Sequence, residues 1–101
     1  MLTDRAQKDF KKWFSDYSEQ YHYLEGWIDY DQYLDEVDLP LSLQQALIIE
    51  WLDSLKSNRF TIEIGYLHEQ YYNGYDDLLY MTRQEATTAA IEIANKIYNA
   101  L

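Results

Sequence analysis

The sequence has no cysteine, one proline and three glycines. Without thiols there are no disulfides and no thiolate zinc site. A chain of 101 residues must then hold together by burial alone. At that length roughly 60–70% of the unfolded surface can be buried, which suffices for one core. Three glycines leave no room for a phosphate-cradling loop or a dinucleotide fingerprint, and neither pattern occurs. A Gly-x-Ser-x-Gly elbow is also missing. No run approaches the ~20 apolar residues that cross a bilayer. Met1 is followed by Leu2-Thr3-Asp4-Arg5, without the apolar stretch of a secretory leader, so a cytoplasmic location is expected.

Histidine is scarce too, which limits base and metal chemistry. His22 sits between Tyr21 and Tyr23 at a helix end, where packing explains it better than catalysis. His68-Glu69 opens like a zincin motif, but Tyr72 stands where the second histidine is needed, and the segment reads as strand. Asp29, Asp31, Asp35 and Asp38 are spaced loosely like a calcium loop, yet the required glycine and the twelfth-position glutamate are both missing. Adjacent carboxylates such as Asp76-Asp77 and Asp35-Glu36 are ordinary solvated pairs. No cofactor, no metal and no catalytic centre are expected, and the chain reads as non-enzymatic.

The most informative scarcity is positive charge. From residue 13 to residue 55 there is no Lys or Arg. The same stretch holds ten carboxylates: Asp16, Glu19, Glu25, Asp29, Asp31, Asp35, Glu36, Asp38, Glu50 and Asp53. The rest of the chain balances eight acids with eight bases, so the whole net charge of −10 belongs to this window. Such a field repels nucleic acid and anionic membranes, whose binding needs clustered cations. It draws in basic partners and speeds their encounter.

What is abundant is aromatic and aliphatic. Hydrophobic residues make up 48% of the chain, including eleven tyrosines, which is incompatible with intrinsic disorder. Thr3 to about Tyr23 reads as an amphipathic helix: Ala6, Phe10, Trp13, Phe14, Tyr17 and Tyr21 form a stripe of 3.6-residue period, with Thr3 as N-cap. Arg5, Lys8 and Lys12 lie on another, solvated face. Residues 27–38 read as a short second helix. Leu39-Pro40 forces an extended link. A capping box of Ser42 and Gln45, with a Leu41–Ala46 staple, opens a third helix apolar around most of its girth, the expected core helix.

After Asn58 the period changes to two. Phe60, Ile62, Ile64 and Tyr66 alternate with Thr61, Glu63, Gly65 and Leu67 as a half-buried strand. Asn73-Gly74 is the favoured pair for a type I′ hairpin turn. That turn sets Tyr72 opposite Tyr75 and Tyr66 opposite Met81, with Leu79 and Met81 on the buried face. Thr82 and Glu85 form a capping box, with a Met81–Ala86 staple, for a last helix that buries Ala86, Ala89, Ala90, Ile93, Ala94 and Ile97. The expectation is a single α+β domain over 1–101: three N-terminal helical segments, one of them short, a β-hairpin and a C-terminal helix, in the order α-α-α-β-β-α.

The second half, over 39–99, resembles a loose group of small proteins from bacteriophages, prophages and gut-bacterial mobile elements. The carrying residues are Leu39-Pro40-Leu41-Ser42-Leu43-Gln44 and Thr82-Arg83-Gln84-Glu85-Ala86, with Ala94-Asn95 and Ile97-Tyr98-Asn99. The resemblance implies a phage or mobile-element setting, and hence a host bacterial cytoplasm, where small acidic proteins block host defence enzymes. It implies no activity.

Two partner surfaces are expected. Carboxylates Asp16, Glu19, Asp31, Asp35 and Asp38, about 5–6 Å apart along helical faces, roughly imitate a row of phosphates. Tyr23, Trp27, Tyr30 and Tyr33 add aromatic anchors to that row. A second patch is Tyr71, Tyr72 and Tyr75 around the hairpin. The expected partner is a basic host protein of the kind that binds nucleic acid, such as a defence enzyme. Direct nucleic-acid or membrane binding is not expected. The alternatives are an assembly module or homo-oligomer using the tyrosine-rich hairpin and, ranked below it, a small ligand held between tyrosine rings.

Overall fold

The C-terminal helix is the hub of the molecule, and it is built to be approached closely. The computed structural model describes residues 2–20 and 40–101, the side chains of 17–20 excepted. The short helix expected over 27–38 lies outside these residues. Within them the order is α1 (Asp4–Gln20), α2 (Leu41–Ser54), one 3-10 turn (Asn58–Phe60), β1 (Ile64–Leu67), β2 (Gln70–Asn73) and α3 (Arg83–Asn99). This is the α+β class expected from the sequence. Helix α3 packs against α1, α2 and both strands. Ala86, Ala90, Ile91 and Ala94 are wholly buried along it, three of them without a side chain long enough to hold a neighbour away. The aliphatic helix α2, expected at the centre, instead buries one stripe (Gln45, Ile48, Trp51, Leu52) and leaves Leu41, Leu43 and Ala46 exposed.

Phe10 and Phe14 of α1, Trp51 of α2, Phe60 and Tyr98 of α3 make the aromatic part of the core. The Tyr98 ring meets Trp51 edge-on at 5.1 Å and Phe60 at 5.7 Å. Phe60 lies in the 3-10 turn, not in the strand predicted from 60, and β1 begins only at Ile64.

Helix starts differ in how they are satisfied. Thr82 caps α3 as expected: the Glu85 amide donates to its hydroxyl oxygen at 3.1 Å. Its staple partner Met81, by contrast, is exposed. Helix α2 has no side-chain cap, because it begins directly after the extended Pro40, whose carbonyl takes the Leu43 and Gln44 amides. Ser42 is therefore already inside the helix, and Leu41 and Ala46 are both exposed instead of forming a staple. Gln45 is drawn inward, its amide donating to Thr88 Oγ1 of α3 at 2.6 Å. Thr3 does precede α1, but its hydroxyl accepts from the Asn95 amide of α3 at 3.0 Å. Asn99, one turn further along α3, accepts the otherwise orphaned Ala6 amide at 2.8 Å. Two asparagines of α3 thus serve the start of α1.

The hairpin turns at His68-Glu69, not at Asn73-Gly74. Both turn residues have positive φ, 52° and 64°, as a two-residue primed turn requires. The register is Ile64↔Asn73, Gly65↔Tyr72, Tyr66↔Tyr71 and Leu67↔Gln70. Tyr72 therefore pairs with Gly65 rather than Tyr75, and Tyr66 with Tyr71 rather than Met81. Leu79 and Met81, expected on the buried face, are exposed. The reason is chemical. Asn73 is 2% exposed and spends its side chain on structure: it donates to the Ala86 carbonyl at 3.1 Å and accepts the Tyr75 and Asp76 amides at 2.9 and 3.1 Å. An asparagine so committed bends the chain out of the sheet and starts a loop. That loop is held in turn by Asp76, which accepts the Leu78 amide and the Tyr80 hydroxyl.

Candidate functional site

The acidic window is only partly described. Asp16 on α1 and Glu50 and Asp53 on α2 are all exposed, and none is ion-paired to a described cation. Glu19 lies in the last turn of α1 without a described side chain. Tyr23, Trp27, Tyr30, Asp31, Tyr33, Asp35 and Asp38 lie outside the described residues. The Arg5–Asp9 pair, at 3.7 Å, falls outside the window.

The hairpin tyrosines do not form one patch, because strand alternation sends them to opposite faces. Asn73 is buried against α3, so its face, shared with Ile64, Tyr66 and Tyr71, is the inner one. The Tyr71 ring lies tilted against Tyr66 at 5.0 Å and receives the Arg83 guanidinium at 5.5 Å, a cation–π contact. Tyr72 lies on the outer face, and its ring covers Gly65: a Cβ at that glycine would stand 2.0 Å from the ring. Tyr75 leaves the sheet altogether. It packs against the core rim and its hydroxyl donates to the Arg59 carbonyl.

What surrounds these rings is more apolar than expected. Tyr66 (60%), Leu67 (52%) and Tyr72 (42%) are exposed on the hairpin, and Leu78, Leu79 and Met81 on the loop that follows. Large apolar side chains left this exposed are candidates for contact with a partner. Leu67 carried the available signal: it is a leucine at the polar phase of an alternating strand. Leu79 and Met81 are expected on the buried face of the sheet, and only the displaced turn puts them outside.

His68 and Glu69 occupy the turn rather than a strand. Among the described residues, no group of three His, Cys, Asp or Glu could hold a metal ion, and no helix is long and apolar enough to cross a membrane. A cleft of about 330 Å³ between α2 and the start of α3, lined by Gln45, Ile49, Arg83 and Thr87 among others, is wide open.

Among the described residues, three phenols hold their protons more firmly than free tyrosine. Burial raises Tyr75. The hydrogen bond to Asp76 raises Tyr80, with burial adding to it. Burial, then the bond to Asp9, raises Tyr98. A group whose folded pKa lies above its unfolded value stabilises fully below the unfolded value, near 10, and loses that contribution as pH rises through the folded one. The melting temperature should therefore fall as pH is raised from about 9 to 11. Melts followed by circular dichroism test this, and an unchanged midpoint over that range would contradict it.

No family model matches this chain, and no curated protein or solved structure matches it either.

Proposed function

We propose that the protein is a non-enzymatic interaction protein that occupies a basic, nucleic-acid-binding surface on a partner, in the manner of an acidic inhibitor from a phage or mobile element. One observation carries this: the entire net charge of −10 sits in a window without a single cation. The exposure of Asp16, Glu50 and Asp53 supports it. A solvated acidic surface alone would serve solubility. Charge segregated this sharply, together with exposed aromatics, is better suited to matching a positive patch. Such binding weakens with salt, because exposed charges more than a Debye length apart are screened: about 10 Å at 0.1 M and less above it.

The test is retention of bacterial lysate proteins on the immobilised chain at low salt, followed by a salt gradient and competition with DNA. Basic proteins released below about 0.5 M salt and displaced by DNA are expected. Retention unchanged through that range, or indifferent to DNA, would sink the proposal. An assembly module is the second reading, favoured by the exposed Tyr66, Leu67 and Tyr72 of the hairpin.

A further inference from the structure

A two-stranded sheet has two edges, and in this one they differ. On the β2 side, Tyr71 exchanges both backbone bonds with Tyr80, each at 2.8 Å. In an antiparallel ladder, each residue aims its amide and carbonyl to one side, and successive residues alternate. Tyr71 spends both groups on Tyr80, so the Tyr66–Tyr71 pair is the kind that exchanges no backbone bonds. Tyr66 must then aim its N–H and C=O away from β2, and Ile64, two residues earlier, does the same. No described residue meets these four groups.

Folded proteins usually blunt such an edge with a lysine, a proline or a bulge. Residues 64–67, Ile-Gly-Tyr-Leu, carry none of these and no charge. The side chains beside the edge are exposed and apolar on both faces of the sheet: Tyr66 on the inner face, Leu67 and Tyr72 on the outer. The charges that flank the strand are negative, Glu63 before it and Glu69 in the turn, and both are exposed.

We infer that the outer edge of β1 accepts an extended basic segment of a partner protein as an added strand. Main-chain bonds to Ile64 and Tyr66 would supply the pairing, and alternate side chains the selectivity. Apolar residues of the incoming strand would lie against Tyr66 or Leu67, and its lysines or arginines would meet Glu63 and Glu69. A second copy of the chain fits worse. Each copy brings a charge of −10, and antiparallel pairing centred on Tyr66 sets Glu63 opposite Glu69 of the other copy, like charges in direct cross-strand contact. This inference rests on the proposed acidic function and names how part of that recognition is made.

The test uses the full chain and two synthetic probes at low salt. One is a nine-residue peptide of alternating lysine and valine. The other has the same sequence with every backbone nitrogen methylated, which keeps charge and side chains but removes the donors. Nuclear magnetic resonance should show the Ile64 and Tyr66 amides shifting and exchanging more slowly with the first peptide. The methylated probe should bind at least tenfold more weakly. Equal binding of both, with shifts at Asp16, Glu50 and Asp53 instead, overturns the edge inference and leaves the acidic-surface function standing. Binding of neither overturns both. A doubled mass by light scattering without peptide also overturns the edge inference, because a second copy would then hold the edge.

Discussion

Replacing Phe10 with alanine should lower stability by about 3–5 kcal/mol, the range for truncating a buried aromatic. The ring is 2% exposed. It sits among Trp13, Phe14 and Trp51 at centroid distances of 6.0, 6.1 and 5.8 Å. Each such aromatic pair adds about 0.5–1.5 kcal/mol beyond the area it buries. Collapse of the site is limited because both neighbours on α1 are themselves held, Phe14 in the core and Trp13 against it. A domain of this size has about 5–15 kcal/mol in total, so the substitution removes a large share. At about 4–8 °C per kcal/mol the melting midpoint should drop by roughly 12–40 °C. Phe10→Leu, which keeps most of the volume, should cost less than half as much. Thermal unfolding followed by circular dichroism decides this, and a drop under about 5 °C for Phe10→Ala would mean that Phe10 is not a centre of the core.

The periodic part of the chain was legible, and the places where it was not share a cause. Ala6, Phe10 and Phe14 at spacings of four foretold the buried face of α1, and Thr82 with Glu85 foretold the start of α3. Those signals are local, so neighbours in sequence settle them. Helix α2 was read as central because most of its girth is apolar. Burial, however, depends on what lies opposite, and the alanines of α3 let two helices and the hairpin close on that helix instead. Ser42 and Gln45 match a capping box letter for letter, yet Thr88, forty-three residues away, claims the Gln45 amide. No window around Gln45 contains that partner.

The proposed contact surfaces follow the same division. The cation-free stretch is a property of composition and needs no structure to be seen. The outward-facing backbone groups of Ile64 and Tyr66 are a property of pairing, because a turn at Asn73-Gly74 would aim them at the partner strand instead. In that register Tyr66 faces Met81 and the sheet runs on toward α3. Moving the turn to His68-Glu69 shortens the strands to four residues each. It also frees Leu79 and Met81 from the core.

Asn73 holds that arrangement, so Asn73→Ala should be costly in a particular place. Alanine leaves the Ala86 carbonyl and the Tyr75 and Asp76 amides without the partners they have at 3.1, 2.9 and 3.1 Å. A buried polar group left unmatched costs about 1–3 kcal/mol, and water can reach some of the three once the loop opens, so a loss of about 2–4 kcal/mol is expected. Hydrogen exchange should then rise across 64–80 more than in α1 or α2, because the asparagine is what fastens β2 to α3. Asn73→Asp separates the bonds by kind. The carboxylate keeps both acceptor bonds but sets its charge against the Ala86 carbonyl; burial and that carbonyl raise its pKa against the opposing pull of the two amides. With the folded pKa raised, the deficit should be full at neutral pH and shrink as pH falls through that pKa, where the protonated acid donates to the carbonyl again. The comparison is the Asn73→Asp midpoint against that of the unsubstituted chain at pH 7 and pH 4. A gap that does not narrow at pH 4 would show that the bond to Ala86 is not what holds the hairpin down.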